Sequence, residues 1–180
     1  MSIYVLGKSS TAIRSGTPSM LSPDEPIPPK KMLPAREIYA LDIDERSGAL
    51  FSSLCQFIWV QGEPLPLIYE MEHDIYARHG INLAALKHLE RIGLITLEAV
   101  GYVKKRFGKH TRLFYFGKPT KIQFHQEMNN ELDLGHVLLT EKGKELAAYC
   151  KVAPNQDFYK YVIEKWSEQG MITSSILIKR

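Results

Sequence analysis

The residues most able to do chemistry in this chain form one basic segment in its second half. Between Glu98 and Glu127 there is no acidic residue, but seven lysines and arginines and two histidines fall there. A cation that neutralises a phosphate releases a condensed counterion, and this release dominates the affinity of proteins for nucleic acid. The segment therefore predicts a phosphate-binding surface made by Lys104, Lys105, Arg106, Lys109, His110, Arg112, Lys118 and Lys121.

Aromatic residues are interleaved with these cations. Side chains two apart on a strand share a face, so we predict that Phe114 and Phe116 face the core and that Tyr115 lies opposite them. Phe107 falls at the expected tip of a hairpin, and its side chain has three possible roles there. It can enter a minor groove, pack on a partner, or fold back under its own hairpin.

Signatures of catalysis and of metal binding are missing from the sequence. There is no Gly-rich phosphate loop, HExxH, GxSxG or paired-cysteine motif, and the six histidines are scattered without ligand spacing. Asp42, Asp44 and Glu45 form an acidic cluster, but a helix cap and first-turn acids explain all three. Cys55 and Cys150 are predicted to be buried apolar thiols. We therefore expect a non-catalytic protein with no metal and no cofactor.

Length and composition set the broad class of the protein. The chain has 180 residues, of which 44% are hydrophobic, and this is enough for one domain with a real core. Its net charge of +3 is mild, so the distribution of charge is more informative than the total. No apolar run is long enough to span a bilayer, and the first residues lack the apolar centre of a secretory signal. These patterns predict a soluble, cytoplasmic protein.

A proline-rich segment precedes the compact part of the chain. Six of the ten prolines fall between Pro18 and Pro34. Each proline removes a backbone donor and fixes φ, so this stretch can be neither helix nor central strand. We predict an extended arm over residues 1–35 and a compact domain over residues 36–180. The arm can be a disordered tail or an ordered segment that docks on a protein partner.

The first helix of the compact part is predicted from the spacing of its apolar residues. It is expected over residues 43–60, with Asp42 and Glu45 in its N-terminal cap. A short edge strand over residues 67–69 is expected after two prolines that interrupt the chain.

Two further helices are predicted close together. Residues 70–79 fit a helix ended by Gly80, and Asn82 then caps a second helix that ends at Gly93. About three residues separate the two helices, which is the spacing of a helix-turn-helix. The second helix is predicted to turn four side chains toward the core, namely Leu83, Leu86, Leu89 and Ile92.

The opposite face of that second helix carries Lys87, His88 and Arg91. These side chains can meet base edges or phosphates if the helix enters a major groove. Against this, the preceding helix carries three carboxylates that would repel phosphate, at Glu70, Glu72 and Asp74. A solvated helix face of mixed charge therefore stays an equal alternative.

The basic segment is predicted to lie on a long hairpin. Residues 94–102 and 112–116 are rich in strand-forming types, and Gly108 is available for the turn between them. Such a hairpin would make residues 103–121 project from the domain as a basic wing. Further strands are expected at residues 122–124 and 134–139, and the last of these must return beside the hairpin.

Two helices and a β-prone tail are predicted after this hairpin. Thr140 is expected to cap a helix that buries Leu146, and residues 156–169 are expected to form another. The second of them has a single apolar stripe, made by Phe158, Val162 and Trp166. The tail can be an edge strand or an oligomerisation strand.

Two sequence segments resemble winged helix-turn-helix proteins, LKHLERIGLI at residues 86–95 and HVLLTEKGKELA at residues 136–147. The resemblance covers about residues 67–150 and implies an α+β fold, with a β-wing after the helix-turn-helix and extra helices at both ends. It also implies a DNA-binding role in a bacterial or phage setting. The expected wing, from Leu94 to Val137, is longer than is usual for the family.

Two functions follow as hypotheses. In the first, the chain is a regulator that binds double-stranded DNA, with Lys87, His88 and Arg91 in a recognition helix and the basic wing on flanking phosphates. In the second, the winged helix is a protein–protein adaptor and residues 1–35 dock on a partner. A homodimer is compatible with either function, through the first or the last helix.

Overall fold

Five helices and nine strands lie within residues 43–175, which are the residues that the computed structural model describes. The helices are α1 (Glu45–Cys55), α2 (Asp74–Ala77), α3 (Leu83–Arg91), α4 (Glu141–Ala147) and α5 (Gln156–Glu168). The strands are β1 (Ile58–Gln61), β2 (Glu63–Pro66), β3 (Ile95–Leu97), β4 (Val103–Phe107), β5 (His110–Tyr115), β6 (Lys118–Gln123), β7 (Asn130–Asp133), β8 (Val137–Leu139) and β9 (Ile172–Ser175). These strands pair in an antiparallel manner, and the predicted α+β class is confirmed. The arm predicted at residues 1–35 lies outside the described residues.

The largest sheet has five strands in the order β2-β1-β5-β6-β9. Its centre is the hairpin of β5 and β6, in which Arg112 lies opposite Lys121. Strand β1 joins one side of this hairpin through the pairing of Val60 with Phe114. Strand β9 joins the other side, with Ser174 opposite Lys121. The tail predicted to be β-prone is therefore an edge strand as far as the structure describes it.

Two separate two-stranded ribbons follow α3. In the first, β3 pairs with β8, so that Ile95 lies opposite Leu139. In the second, β4 pairs with β7, so that Val103 lies opposite Asp133. The register of this second ribbon shifts between Lys104 and Phe107. Together the two ribbons form an interrupted β-hairpin, whose first strands follow α3 and whose last strands lead to α4.

The predicted long hairpin of residues 94–102 with residues 112–116 is wrong. Strands β4 and β5 are adjacent in sequence but belong to different sheets. Instead, β5 turns back on β6 through Phe116 and Gly117, whose φ angles are 46° and 76°. A two-residue turn with two positive φ angles matches the twist of paired strands, and a short loop costs less entropy to close than a long one. The basic segment at residues 103–121 is therefore divided between a ribbon and the large sheet.

Helix α1 is shorter than the predicted helix at residues 43–60. Its N-cap is Asp44, whose carboxylate accepts a hydrogen bond of 2.7 Å from the Ser47 N–H, and Asp42 lies outside the described residues. The helix ends at Cys55 and the chain continues into β1. The reason is composition, since β1 contains β-branched and aromatic residues and buries Trp59 completely in the core.

The edge strand predicted at residues 67–69 does not form there, and the edge strand of the sheet is β2, which lies just before these residues. Pro64 and Pro66 lie within this strand and do not interrupt the fold, because β2 is the outermost strand of the sheet. An edge strand tolerates a residue that has no backbone donor. Within residues 67–69, Ile68 forms only an isolated bridge with Gly135.

Helix α2 is also shorter than the prediction of residues 70–79. Residues before it form a turn in which the His73 N–H donates to the Glu70 carbonyl oxygen over 3.0 Å. The His73 ring then accepts a hydrogen bond from the Ile75 N–H over 3.1 Å and caps the helix. The end was predicted correctly, because Gly80 has a φ of 75° and stops the turn after α2.

The caps of α3 and α4 agree with the sequence. Asn82 accepts a hydrogen bond of 2.9 Å from the Ala85 N–H, and Thr140 accepts one of 3.0 Å from the Gly143 N–H. Leu86 and Leu89 are completely buried as expected. Leu83 is an exception, since it lies on the exposed side of α3 and not in the core. Ile92 is partly buried against the core.

Helix α5 covers one face of the five-stranded sheet. Its stripe of Phe158, Val162 and Trp166 is completely buried, as predicted. The Trp166 ring meets the Trp59 ring edge-on, with 5.0 Å between the ring centroids. Because this stripe is buried against the rest of the same chain, it offers no apolar surface to a second copy.

Tyr115 connects the sheet to the start of α5. Its hydroxyl donates to the Gln56 carbonyl oxygen over 2.8 Å and accepts from the Asn155 N–H over 2.8 Å. Burial raises the pKa of Tyr115 to about 12. A tyrosine in the unfolded chain ionises near pH 10, so the contribution of Tyr115 to stability is complete below that pH and is lost as pH rises through about 12.

We therefore expect Tyr115→Phe to make stability less dependent on alkaline pH. The difference in free energy of unfolding between the wild type and the variant should shrink by about 1 kcal/mol for each pH unit between about pH 10 and about pH 12. Urea denaturation of both proteins across that range measures it. Parallel stability curves would contradict the assigned role of the hydroxyl.

Candidate nucleic-acid interface

The five-stranded sheet has one face packed on α5 and one face turned away from it, here called the outer face. On β5, Leu113 and Tyr115 are buried whereas Arg112 and Phe114 are exposed. Residues paired directly across antiparallel strands share a face. The register therefore defines the outer face by Pro64, Pro66, Ile58, Val60, His110, Arg112, Phe114, Pro119, Lys121, Gln123, Ile172 and Ser174.

The centre of the outer face carries two cations opposite each other. Arg112 is exposed, Lys121 is partly buried, and the two are direct cross-strand partners. Neither forms an ion pair with a residue that the structure describes. No aspartate or glutamate is among the outer-face positions defined above. Like charges in direct opposition destabilise a sheet, so this arrangement leaves a positive site that an anion would complete.

The cations in the β4-β7 ribbon and next to it are engaged differently. Lys105 forms an ion pair with Glu131 over 3.0 Å, and Lys109 forms one with Glu127 over 2.6 Å. The hydrogen bond from Lys109 holds the pKa of Glu127 below its usual value. Lys104 donates to the carbonyl oxygen of Gln61 over 3.3 Å and also contacts its side chain. Two of the seven cations predicted for the wing are therefore paired with carboxylates, and Lys104 is held by a neutral partner.

Three other predicted site residues lie in distinct settings. Arg106 is exposed at the register shift of the ribbon and has a φ of 67°, which is unusual for a residue with a side chain. Lys118 is on the inner side of the sheet, with its ammonium 4.5 Å from the centroid of the Tyr159 ring. His110 is on the outer face, with its Nε2 3.4 Å from the side-chain oxygen of Gln123.

The predicted recognition residues on α3 do not form one open surface. Lys87 and Arg91 are exposed, but His88 is held between two neighbours. Its Nε2 is 2.7 Å from the hydroxyl of Ser47 in α1, and its Nδ1 is 2.8 Å from the Arg91 guanidinium. Helix α1 therefore covers part of the face that the sequence assigned to base contacts.

The contact between Ser47 and His88 does not have the arrangement of a catalytic dyad. A guanidinium can only donate hydrogen bonds, so Nδ1 of His88 must accept from Arg91. The neutral ring then carries its proton on Nε2 and donates it to Ser47. A general base needs the opposite arrangement, with Nε2 free to accept the proton of the hydroxyl. The contact instead joins α1 to α3.

The predicted orientation of the aromatic residues on β5 is wrong. Tyr115 is buried, whereas Phe114 and Phe116 are 40% and 43% exposed. The turn at Phe116 and Gly117 fixes the register, and a shift of one residue exchanges the two faces of a strand. The Phe-Gly pair was the signal in the sequence that could have located this turn. For Phe107, the ring stacks on Phe124 with centroids 5.7 Å apart, so it packs within the chain, although the predicted hairpin under which it could fold does not form.

The two cysteines are neighbours in space. A hydrogen bond with the Cys150 thiol, together with burial, raises the pKa of Cys55 well above its usual range. Cys55 is buried as predicted, whereas Cys150 is only partly buried. Within residues 43–175, no group of three His, Cys, Asp or Glu side chains is placed to hold a metal ion. In the same range, no helix is long and apolar enough to cross a membrane.

A family profile described as "Protein of unknown function (DUF2806)" matches residues 68–163, which is just over half of the chain. The chain belongs to the DUF2806 family. No curated protein and no solved structure matches it significantly. The DUF2806 region contains α2, α3, α4, the two ribbons, the β5-β6 hairpin and most of α5. Helix α1 and strands β1, β2 and β9 lie outside it, so the DUF2806 region supplies the cationic centre of the outer face but not its edges.

Proposed function

We propose that this DUF2806 chain is a non-catalytic nucleic-acid-binding protein that holds a phosphate backbone on the outer face of its sheet. The observation that carries the proposal is the direct opposition of Arg112 and Lys121 on a face without acidic positions. Two adjacent cations repel each other unless an anion lies between them. A phosphodiester backbone supplies anions in series, and guanidinium and ammonium groups are its usual partners.

We also propose that α2, α3 and the two ribbons form a winged helix-turn-helix. Three contacts between the two sequence segments that resemble winged helix-turn-helix proteins support this interpretation. The Thr140 hydroxyl donates to the Gly93 carbonyl oxygen over 2.7 Å, and the Thr140 N–H donates to the Leu94 carbonyl oxygen over 3.1 Å. Gly143 lies directly against Leu94. The ribbons β3-β8 and β4-β7, which leave α3 and return to α4, then take the position of the wing.

Helix α3 has a smaller part in the proposed contact than the outer face. Lys87 and Arg91 remain available to duplex DNA, but His88 is occupied by Ser47. The repulsion expected from the acidic residues near α2 is reduced. Glu70 pairs with Lys165, which lowers the pKa of Glu70, and Asp74 lies 3.9 Å from Arg78. Double-stranded DNA thus stays the proposed ligand of α3 and the wing.

The salt dependence of binding tests the proposal. Fluorescence anisotropy of a labelled DNA duplex and of a labelled single strand measures the affinity at two salt concentrations. Between about 50 and about 200 mM salt, affinity should fall about tenfold if two phosphates are neutralised. Binding that does not respond to salt, or no binding to either probe at low salt, would contradict the proposal.

A protein–protein adaptor is the second candidate function. It is favoured by Val60 and Phe114, which are cross-strand partners and are each 40% exposed on the outer face. Apolar pairs in such a position are typical of a contact with another protein. A protein partner that copurifies in equal amounts from the native host, and stays bound at high salt, would favour the adaptor. A homodimer is also a proposal, and it would need a surface other than the buried stripe of α5.

A further inference from the structure

The outer face is too wide to enter a groove of duplex DNA. Neighbouring strands are about 4.8 Å apart, so five strands span about 19 Å. A major groove is about 12 Å wide and admits a helix or a two-stranded ribbon. The strands that carry Arg112 and Lys121 are both interior, because β1 flanks one and β9 flanks the other. A single strand has no such restriction and can lie along the exposed positions of β5 and the adjoining Lys121 of β6.

An exposed aromatic ring lies beside the two cations. Phe114 and Arg112 are two residues apart on β5, which places them on the same face about 7 Å apart. The Phe114 ring forms no ring pair with another aromatic residue in the described range. Its cross-strand neighbours Val60 and Pro119 are smaller and apolar, and the ring stays 40% exposed. An exposed aromatic ring therefore adjoins the cross-strand pair of cations.

We infer that the outer face binds single-stranded nucleic acid, with a base stacked on Phe114 and the adjoining phosphates on Arg112 and Lys121. This inference rests on the proposed function and specifies the ligand of the same surface. Aromatic rings on a sheet accept successive unstacked bases in proteins that bind single strands, while cations follow the backbone. Stacking tolerates any base, because every base has a π-face. The ligand class is thus a single strand bound without strict sequence preference.

Two substitutions at Phe114 separate stacking from apolar contact. Phe114→Leu keeps an apolar side chain but removes the ring, and Phe114→Tyr keeps the ring. With a labelled single strand of about 16 nucleotides, we expect the leucine variant to bind about tenfold more weakly. The tyrosine variant should bind like the wild type. Neither change should alter the affinity for a duplex of the same length by a comparable factor.

A third variant reports the contact directly. Trp59 and Trp166 are completely buried, so a Phe114→Trp protein carries one exposed indole in the described range. Stacking of a base on that indole should quench its emission when the unlabelled single strand is added. The wild type, whose described tryptophans are buried, serves as the control and should change little.

The outcomes distinguish this inference from the proposed function. If the leucine variant binds like the wild type while Arg112→Ala with Lys121→Ala weakens binding, the phosphate surface stands and stacking on Phe114 is overturned. If the indole is not quenched and the duplex binds more tightly than the single strand, the inference is also overturned. If none of the substitutions changes binding, the proposed function itself fails.

Discussion

Replacing Arg112 and Lys121 together by alanine is expected to lower the affinity for nucleic acid by about tenfold to a hundredfold at moderate salt. The two side chains are direct cross-strand partners on the outer face, so both can contact the same stretch of backbone. Removing two phosphate contacts should also reduce the slope of log affinity against log salt by about 1.5 to 2. Anisotropy titrations at several salt concentrations give both quantities.

The matched control is the double substitution Lys105→Ala with Lys109→Ala. It removes the same number of positive charges from the same basic segment, but these lysines are paired with Glu131 and Glu127. A paired cation has less charge to offer a phosphate, so affinity should change by only about twofold. Equal losses in the two double variants would indicate a general charge effect and would contradict the assignment of the outer face.

Stability should not fall together with binding in this double variant. The opposition of Arg112 and Lys121 destabilises the sheet in the absence of a ligand, since like charges directly opposite each other repel. The alanine double variant is therefore expected to unfold at the same urea concentration as the wild type or at a slightly higher one. A clear loss of stability would mean that weaker binding reflects damage to the sheet.

Gly143→Ala is expected to destabilise the protein strongly. A Cβ added at Gly143 would lie 2.0 Å from the carbonyl oxygen of Leu94, which is a backbone atom and cannot move aside as a side chain can. The same carbonyl oxygen accepts the N–H of Thr140. Forcing these elements apart should lower the free energy of unfolding by about 3 kcal/mol or more.

Gly48→Ala is the matched control for that substitution. Both glycines lie within helices, but a Cβ at Gly48 would meet nothing within 4 Å. Alanine is favoured over glycine inside a helix, so this variant should gain about 0.5 to 1 kcal/mol. Urea denaturation of the two variants measures the contrast. A Gly143→Ala protein as stable as the wild type would contradict the close approach of α4 to the corner at Leu94.

The helices near α3 could be predicted because their signals are local. Asn82 and Thr140 cap their helices through hydrogen bonds that reach only three residues along the chain. The apolar stripe of α5 is likewise a property of one segment. The role of Gly143 is different. The sequence segment HVLLTEKGKELA shows a glycine at this position, but its close contact with Leu94 is known only from the structure.

Strand pairing could not be predicted in the same way, because it depends on residues distant in sequence. The partner of β4 is β7, and only after Phe116 and Gly117 were known to form a turn could β5 be paired with β6. The alternation of aromatic residues predicts that Phe114 faces the core, but the register set by the β5-β6 turn places it on the exposed face. The end of α1 was predicted too late in the chain, because the last apolar residues of the predicted helix at residues 43–60 fit a strand as well as a helix.

The candidate site was predicted in its chemistry but not in its arrangement. The sequence identified the cations, and Arg112 and Lys121 were both among them. Which cations keep their charge available depends on Glu131, which lies in β7, and on Glu127, which precedes β7. The engagement of His88 likewise depends on Ser47, which is 41 residues away.

The location of bound nucleic acid tests the central claim most directly. Titrating a short unlabelled single strand into the isotopically labelled 180-residue chain, and following the backbone amide signals by NMR, maps the surface that contacts it. We predict that the largest shifts occur at Arg112, Phe114 and Lys121, with small shifts at Lys105 and Lys109. Shifts concentrated on α3 or on the β4-β7 ribbon, with the β5-β6 hairpin unchanged, would contradict binding on the outer face.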